Sequence, residues 1–560
     1  MNNLVYLSTC LPAYLRIFTM KPIRALFILP ILFLAVFYFF PLVTILETSF
    51  AGAGGFGELF SDAYYARVLG FTVLQAALST IVTLAAALPA AYIFARYSFR
   101  GAGVLRALTT IPFLMPTIVV ATAFSALLGP RGSVNLTLMQ WFQLDAPPIQ
   151  ILNTIWIIVL AHTFYNFTIV LRIVGGFWAN LDPQIENAAR VLAAGRARTL
   201  RDITLPLLAP AIVAAALLVF IFDFTSFGVV LILGGARLAT LEVEIYRQTV
   251  NLFDLPLAAA LSLVQLACTS GLMLVYTRLQ ARRPLKLRPQ VLTRRKPQGA
   301  REHLFVWGYL AAMLVFLMTP LLSVAAASFA NGLDYYAALF VNTRGSITFV
   351  PPIEAVRNSL FFASVTIVLA VGLGLIAAYS IVSTTSARAM GAGKLLDPIF
   401  LLPLGTSAVT LGFGFILSLG DLRTSIWLVP IAHALVALPF VVRTVLPMLR
   451  SIQPQLREAA QILGASPPRV WREIDLPLIA RAALIGAVFA FTVSIGEFGA
   501  TALVARPELP TVPVAIYRLL GQPGLSNLGQ ALALSTILMI VSAVAIVAME
   551  RLRVGDIGEF

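Results

Sequence analysis

The sequence predicts an all-α polytopic membrane protein made of two parallel six-helix repeats, with about 12 transmembrane helices in all. Hydrophobic residues make up 59% of the 560 residues and charged residues only 11%. A soluble domain cannot bury so large an apolar fraction, so lipid must form part of the solvent. The two halves also align with each other without a gap over a long stretch, which predicts an internal repeat.

The repeat is carried by polar residues and prolines as well as by apolar ones. The offset is the 271 residues that separate His162 from His433. Further aligned pairs are Arg172 and Arg443, Pro183 and Pro454, Pro206 and Pro477, Gly228 and Gly499, and Tyr246 and Tyr517. Shared hydrophobicity alone would not align such residues, so the polar segments are duplicated together with the spans.

Six stretches in each half are long enough to cross a bilayer, at about 20 residues each. They begin near residues 25, 69, 104, 152, 206 and 256, and then near 304, 359, 396, 425, 478 and 526. Because six is even, both repeats enter the membrane from the same side. We therefore predict a first repeat at 1–280, a basic cytoplasmic linker at 281–303 and a second repeat at 304–560.

Basic residues set the orientation. They precede the first span at Arg16, Lys21 and Arg24, and they recur in alternate loops and in the linker. By the positive-inside rule, both termini are expected to be cytoplasmic. The net charge of +15 is explained in this way, and no basic groove-filling helix indicates a nucleic-acid partner.

Residues 129–150 form an insertion that only the first repeat carries. Polar Asn135, Gln140 and Gln143 alternate there with apolar Leu138, Trp141 and Phe142. This pattern predicts a helix at the outer interface of the membrane, either lying on the lipid or contacting an extracytoplasmic partner.

A polar loop between the fourth and fifth spans occurs in both repeats, at 182–206 and 453–477. In the second copy Pro454 suits the first turn of a helix, and Leu456, Ala459, Ala460 and Leu463 form one apolar face. Gly464 can end that helix, and Ser466 with Pro467 can begin another. The first copy repeats this pattern from Pro183, with Ala188 and Ala189 at the centre of the face.

The second loop resembles the signature loop of permease subunits in binding-protein-dependent ABC importers. The resemblance rests on Glu458-Ala459-Ala460, Gly464 and Ile474-x-Leu476-Pro477 at this spacing. It implies the type I permease fold, with coupling helices that dock into clefts on separate ATPase subunits. The residues that it implies for this contact are Glu186, Ala188, Ala189, Glu458, Ala459, Ala460 and Gly464.

The first copy departs from the pattern of this family. Asn187 stands at the glutamate position with Glu186 one residue earlier, and Ala193 stands at the glycine position. The first loop is still expected to dock onto an ATPase subunit, but the sequence does not decide whether it contributes a carboxylate to that contact.

The chain is expected to be a transport subunit and not an enzyme, with no bound cofactor of its own. Gly393-Lys394 is followed by Leu395 where a phosphate-binding loop needs Ser or Thr. The resemblance implies ATP and Mg²⁺ on a partner ATPase dimer, a periplasmic or extracytoplasmic solute-binding protein, and a location in the bacterial inner membrane.

Charged residues within spans indicate candidate positions on a substrate pathway. Asp223 and Glu497 lie at the ends of the fifth span of each repeat, and Ser226 aligns with Glu497. These residues could favour a cationic solute; alternatively, each carboxylate meets water or pairs with an arginine. The aligned His162 and His433 fit either a paired proton or metal site or symmetric interhelical hydrogen bonds.

The fused architecture and the segments 231–247 and 494–511 are similar to thiamine and ferric-iron importer permeases. Both solutes are cations, while phosphonate, polyamine and sulfate remain alternatives. A secondary transporter with parallel six-span repeats is the rival interpretation, and it would require ion-binding or proton-relay residues within the spans. A lipid-modifying enzyme would require a catalytic constellation, and the sequence offers none.

Overall fold

The computed structural model describes residues 26–50, 55–193, 195–235, 237–282, 294–342, 350–386, 392–422 and 424–553. Over these ranges the chain is helical, and its one extended pairing is an isolated bridge between Tyr97 and Arg295. The predicted N-terminal basic residues Arg16, Lys21 and Arg24, and residues 283–293 of the predicted linker, lie outside the described residues.

The helices of the first repeat have the following bounds: α1 Ile28–Phe50, α2 Ala63–Arg96, α3 Ala102–Leu114, α4 Thr117–Leu128, α5 Ser133–Phe142, α6 Ile155–Ala179, α7 Pro183–Val191, α8 Leu205–Phe224, α9 Gly228–Leu233, α10 Leu241–Arg247 and α11 Leu255–Arg282. A π-helical turn at Ala35–Phe39 interrupts α1.

The helices of the second repeat have the following bounds: α12 Gly299–Ser328, α13 Pro352–Ser386, α14 Ala392–Leu401, α15 Ala408–Ser418, α16 Leu428–Ser451, α17 Pro454–Ile462, α18 Leu476–Gly496, α19 Gly499–Val504, α20 Val512–Leu520 and α21 Leu525–Arg553.

Within the described residues, 11 helical segments are long and apolar enough to cross a membrane when α4 and α5 are taken together as Thr117–Phe142, or up to 12 if a bent pair forms one span. That pair is Leu396–Gly405 with Ala408–Ser418, which meet at 97°. The bend has a local cause, because the Ser407 side chain accepts hydrogen bonds from the backbone N–H groups of Val409 and Thr410. Ser407 is thus the N-cap of α15, which begins as a separate helix. The predicted fold class is confirmed, and the 11 to 12 candidate spans agree with the predicted number of about 12. The third candidate span begins at Thr117 and not near residue 104, because the helix Ala102–Leu114 is too short to cross the membrane.

One compact unit contains nearly all of α1, most of α13, helices α14–α19 and the C-terminal end of α21. Pro41 and Ile45 of α1 pack against Gly414 of α15, and the hydroxyl groups of Tyr38 and Thr406 are 2.7 Å apart. Gly412 allows close approach to α19, since a Cβ atom there would lie 2.9 Å from Cα of Ala500. The first span of the first repeat is therefore part of a unit that is otherwise made of second-repeat helices.

The other compact unit contains α2–α12, α20 and most of α21. Ala123 of α4, Val324 of α12 and Leu532 of α21 form a buried cluster in it. The first and last spans of the second repeat thus pack on first-repeat helices. The division of the sequence into repeats at the linker 281–303 stays a prediction, because the two compact units group helices by packing and not by order in the chain.

The insertion 129–150 contains the predicted helix, α5. Asn135 is fully buried, and its side chain bonds with the backbone at Gly129 and Ile149, with three contacts of 2.8–2.9 Å. Asn135 therefore holds the two ends of the insertion together. Trp141 and Phe142 are 75% and 67% exposed.

Candidate functional site

The two polar loops have the same architecture, residue for residue. Helix α17 is followed by a short helix at Pro467–Val470, a π-helical turn at Trp471–Asp475 and then α18. In the first copy, α7 is followed by Arg196–Thr199, Leu200–Thr204 and α8. Each of these boundaries differs from its counterpart by the repeat offset, so the duplicated sequence produces a duplicated structure.

The end of each loop helix depends on a residue in the left-handed conformation. Gly464 has φ of +81°, and the N–H of Ala465 donates to the carbonyl of Ala460 at 2.9 Å, which closes α17. In the first copy Ala193 takes the same conformation with φ of +61°. The loop geometry is therefore kept although alanine replaces the glycine of the family pattern.

Apolar side chains at the ends of the loop helices are not covered by this chain. Ile462 and Leu463 are 86% and 87% exposed, and the aligned Val191 and Leu192 are 85% and 83% exposed. Two large exposed apolar side chains at matched positions in both repeats are typical of a surface that contacts another molecule.

The predicted coupling residues differ in exposure. Glu458, Ala459, Gly464 and Ala188 are exposed, Ala460 and Glu186 are half-buried, and Ala189 is buried. The carboxylate of Glu186 is engaged within the chain, because Arg96 Nη2 lies 2.7 Å from its Oε1 and the Thr204 hydroxyl donates to the same oxygen at 3.0 Å. Glu458 instead presents its carboxylate at the surface.

The described end of the linker is anchored beside this first loop. The N–H of Arg295 donates to the carbonyl of Arg96 at 3.1 Å, and the N–H of Ser98 donates to the carbonyl of Arg295 at 2.9 Å. The Arg295 guanidinium lies over the Tyr97 ring and pairs with Glu302, and the hydrogen bond to Glu302 raises the pKa of Arg295. The backbone at the end of α2 is thereby held in place.

Asp223 lies in a buried cluster that joins α2, α6 and α8. Asn166 Nδ2 donates to Asp223 Oδ1 at 2.6 Å, and Gln75 Nε2 donates to the Asp223 carbonyl at 2.7 Å. His162 Nδ1 is 3.4 Å from the carboxylate, and its Nε2 is 2.8 Å from the hydroxyl of Ser226. Over the described residues, Asp223 Oδ2, Asn166 Oδ1 and Gln75 Oε1 have no hydrogen-bond partner.

Glu497 occupies a different environment in the other compact unit. Its carboxylate accepts the N–H groups of Ala500 and Thr501 at 2.7 and 2.9 Å and the Thr501 hydroxyl, so it caps α19. His433 Nε2 lies 3.2 Å from the same carboxylate, and its Nδ1 is 2.8 Å from the hydroxyl of Ser494.

Each repeat thus holds one buried histidine beside one carboxylate. The histidines make interhelical hydrogen bonds. Among the described residues, each carboxylate has its histidine, and not an arginine, as the nearby basic group. No group of three or more His, Cys, Asp or Glu side chains suited to a metal ion occurs within the described ranges. A place for Asp223, Ser226 and Glu497 on a substrate pathway stays a prediction.

Sequence reasoning missed two buried acids on α10. Glu244 accepts hydrogen bonds from Tyr64 at 2.9 Å and from Gln248 at 2.8 Å, and Gln265 donates to Glu242. The aligned positions of the second repeat carry Pro513 and Ala515. The two acids could have been identified from the sequence, because they are acidic in one repeat and uncharged at the aligned positions of the other.

Comparison with known proteins places these features in one family. The chain matches the model of the binding-protein-dependent transport system inner membrane component twice, at residues 87–283 and 370–553. It is 27% identical to the thiamine transport system permease protein ThiP of Brucella abortus (strain 2308), over 84% of this chain and 85% of that protein. It is 26% identical to ThiP of Escherichia coli (strain K12), over 83% and 85%.

A relative of half this length also matches. The putative 2-aminoethylphosphonate transport system permease protein PhnU of Salmonella typhimurium is 26% identical over 48% of this chain and 96% of its own length. A protein of that length corresponds to a single repeat.

Proposed function

The chain belongs to the family of binding-protein-dependent transport system inner membrane components, and on that premise we propose how it couples ATP hydrolysis to solute import. It is a multi-pass inner-membrane permease of an ABC importer. In our proposal, both termini and the loops 182–206 and 453–477 are cytoplasmic, and each loop docks onto one subunit of a separate ATPase dimer. ATP and Mg²⁺ are bound by those subunits, and this chain holds no cofactor.

The matched exposed apolar pairs carry this proposal. Val191 with Leu192 and Ile462 with Leu463 occupy equivalent places, and they can be buried only by another molecule or by a rearrangement of the loops. One chain supplies two such surfaces, which fits two ATPase subunits. Exposed Glu458 offers a carboxylate to one of them, whereas the aligned residue of the first loop is Asn187.

The transport cycle follows from two linked docking surfaces. An extracytoplasmic binding protein delivers the solute, and closure of the ATPase dimer on ATP draws the two loops together. The permease then passes from an inward-open to an outward-open state, since ATP favours the state in which the ATPase subunits are closed.

The solute that we propose is thiamine. Two of the relatives named above are thiamine permeases and align over more than four fifths of this chain. Thiamine is a cation, and Asp223 with Glu497 and Ser226 would favour a positive charge along the pathway. The unpartnered oxygens of Asp223, Asn166 and Gln75 support a role for this cluster in receiving a hydrogen-bond donor or a positive charge. Ferric iron is the other cation that the sequence indicates, and uptake assays with both solutes distinguish them.

Charge reversal at the exposed carboxylate tests the coupling. We expect Glu458→Lys to leave insertion and folding intact but to abolish ATP-dependent uptake in proteoliposomes that contain the ATPase subunits and the binding protein. Glu473→Lys is the matched control, because Glu473 is also exposed in this loop and its surface pair with Arg469 contributes little to stability. Normal uptake by Glu458→Lys would contradict the role of Glu458, and uptake that needs only an ion gradient would support the secondary transporter instead.

A further inference from the structure

We propose that each coupling helix is fixed to the second and fifth spans of its own repeat by a buried ionic brace, and that the two braces have opposite polarity. The inference rests on the proposed coupling function and adds the residues that transmit movement from the loop into the spans. We define the first brace as Arg96, Glu186 and Thr204, and the second brace as Arg457, Asp475 and Tyr379.

The first brace joins three elements through one carboxylate. Arg96 is the last residue of α2, Glu186 lies in α7, and Thr204 immediately precedes α8. The side chains of Arg96 and Glu186 are 12% and 16% exposed, and both their ion pair and the Thr204 hydrogen bond end on Oε1 of Glu186. Because the pair is largely removed from water, it is screened much less than a surface pair.

In the second brace the charge on the coupling helix is reversed, and the ion pair links that helix to the start of the fifth span. Arg457 of α17 pairs with Asp475, which immediately precedes α18, at 2.7 Å between Nε and Oδ1. Their side chains are 8% and 3% exposed. Tyr379 of α13 interacts electrostatically with Asp475 and so adds the second span.

The repeat alignment shows that these are equivalent positions. Glu186 aligns with Arg457 and Thr204 with Asp475 at the offset that aligns the histidines. The coupling helix supplies the acid in the first repeat and the base in the second. The linkage is present in both repeats although the residues differ, which is expected if the connection itself has a function.

The second brace holds the most buried side chain of the second coupling helix. All nine residues of α17 are described, and Arg457 is the one that is buried. Its apolar side chains Leu456 and Ile462 are exposed. Removal of Asp475 would leave a buried charge without its partner, which is unfavourable enough to release the helix. Movement of an ATPase subunit would then displace α17 without displacing α18.

The first brace has an additional support in the linker. The backbone of Arg96 accepts a hydrogen bond from Arg295, so the same residue is held on its main chain by the linker and on its side chain by α7. We therefore expect single substitutions to disturb the first brace less than the second.

Charge exchange tests the second brace. We compare Arg457→Glu, Asp475→Arg and the double variant in the full-length protein in lipid nanodiscs, and measure amide hydrogen exchange of residues 454–463. Each single variant is expected to exchange about tenfold faster than the wild type, and the double variant is expected to recover most of the protection. Asp475→Asn, which keeps the shape of the side chain but removes its charge, is the variant to use if a reversal prevents folding.

The exchange measurement needs no ATPase. A negative result would therefore contradict the brace without contradicting the proposed coupling function. In the reconstituted importer the second readout is solute imported per ATP hydrolysed, which should fall in the single variants and recover in the double variant while the ATPase subunits stay bound. Wild-type protection in both single variants and in Asp475→Asn would overturn the brace. The brace would also be overturned if the double variant inserted and bound the ATPase but recovered neither the protection from exchange nor the solute imported per ATP.

Discussion

Ala193 takes the left-handed backbone conformation at the place in the first loop where Gly464 takes it in the second, with φ of +61° and +81°. A Cβ atom in this conformation approaches the following carbonyl oxygen, whereas glycine has no such contact. The first coupling helix therefore ends in the right geometry but under strain, and the two loops are alike in shape and unequal in stability.

We expect Ala193→Gly to stabilise the first loop by up to about 1 kcal/mol and Gly464→Ala to destabilise the second by about 1 kcal/mol. Amide exchange of residues 183–193 and 454–464 measures both effects. Gly195→Ala is the control, because no positive φ is found at that residue. Equal effects of alanine at 464 and at 195 would contradict the interpretation.

The exposed apolar pairs are expected to dominate binding of the ATPase. Burial of a side chain such as leucine contributes roughly 1.5–3 kcal/mol, so replacement of Ile462 and Leu463 by serine should weaken binding by 100-fold or more. Titration of the permease in nanodiscs with ATPase subunits gives the dissociation constant.

A matched control for that titration is Phe340→Ser, since Phe340 is 67% exposed but lies outside both loops. The same substitution at Val191 and Leu192 reports the first surface separately. If the serine variants bind as tightly as the control, the surfaces do not dock the ATPase.

Glu497 is expected to be important for stability because it caps α19. Glu497→Ala removes the acceptor for the N–H groups of Ala500 and Thr501, and we expect a loss of about 1–3 kcal/mol. Glu497→Gln keeps one acceptor oxygen, so it should reduce the stability less than Glu497→Ala does. Thermal unfolding in detergent measures both variants, and an alanine variant as stable as the wild type would contradict the cap.

Asp223 is expected to affect transport more than stability. Asp223→Asn retains an acceptor for Asn166 but removes the negative charge, so we expect the KM for thiamine uptake to rise about fivefold or more with little change in thermal unfolding. The isosteric change Asn166→Asp is a second probe, since it adds a charge to the same cluster. An unchanged KM in both variants would remove Asp223 from the pathway.

The insertion is expected to open when its buried amide is lost. Asn135→Leu removes the contacts to Gly129 and Ile149 and leaves the backbone groups at Ile149 without these partners, at about 1–3 kcal/mol. Limited proteolysis within residues 143–150 should become faster. Gln140→Leu, a similar change on the exposed side of α5, should leave the rate unchanged.

Local sequence signals predicted the spans and the loop helices because their causes are local. Pro454 begins α17, Gly464 follows its end and Pro467 begins the next helix, as their backbone preferences require. Residue pairs such as Arg96 with Glu186 are 90 positions apart, and no local pattern indicates which partner a charge will meet. Asp475 is buried through its pair with Arg457, and no local pattern indicates this burial.

The exchange of first helices between the compact units has a consequence for how the molecule can be made. A polypeptide cut within the linker would release two fragments, each containing a helix whose neighbours belong to the other fragment. Each fragment would lack a helix that packs in its compact unit, so each would need the other fragment during biogenesis. Synthesis as a single chain supplies both in equal number and at high effective concentration.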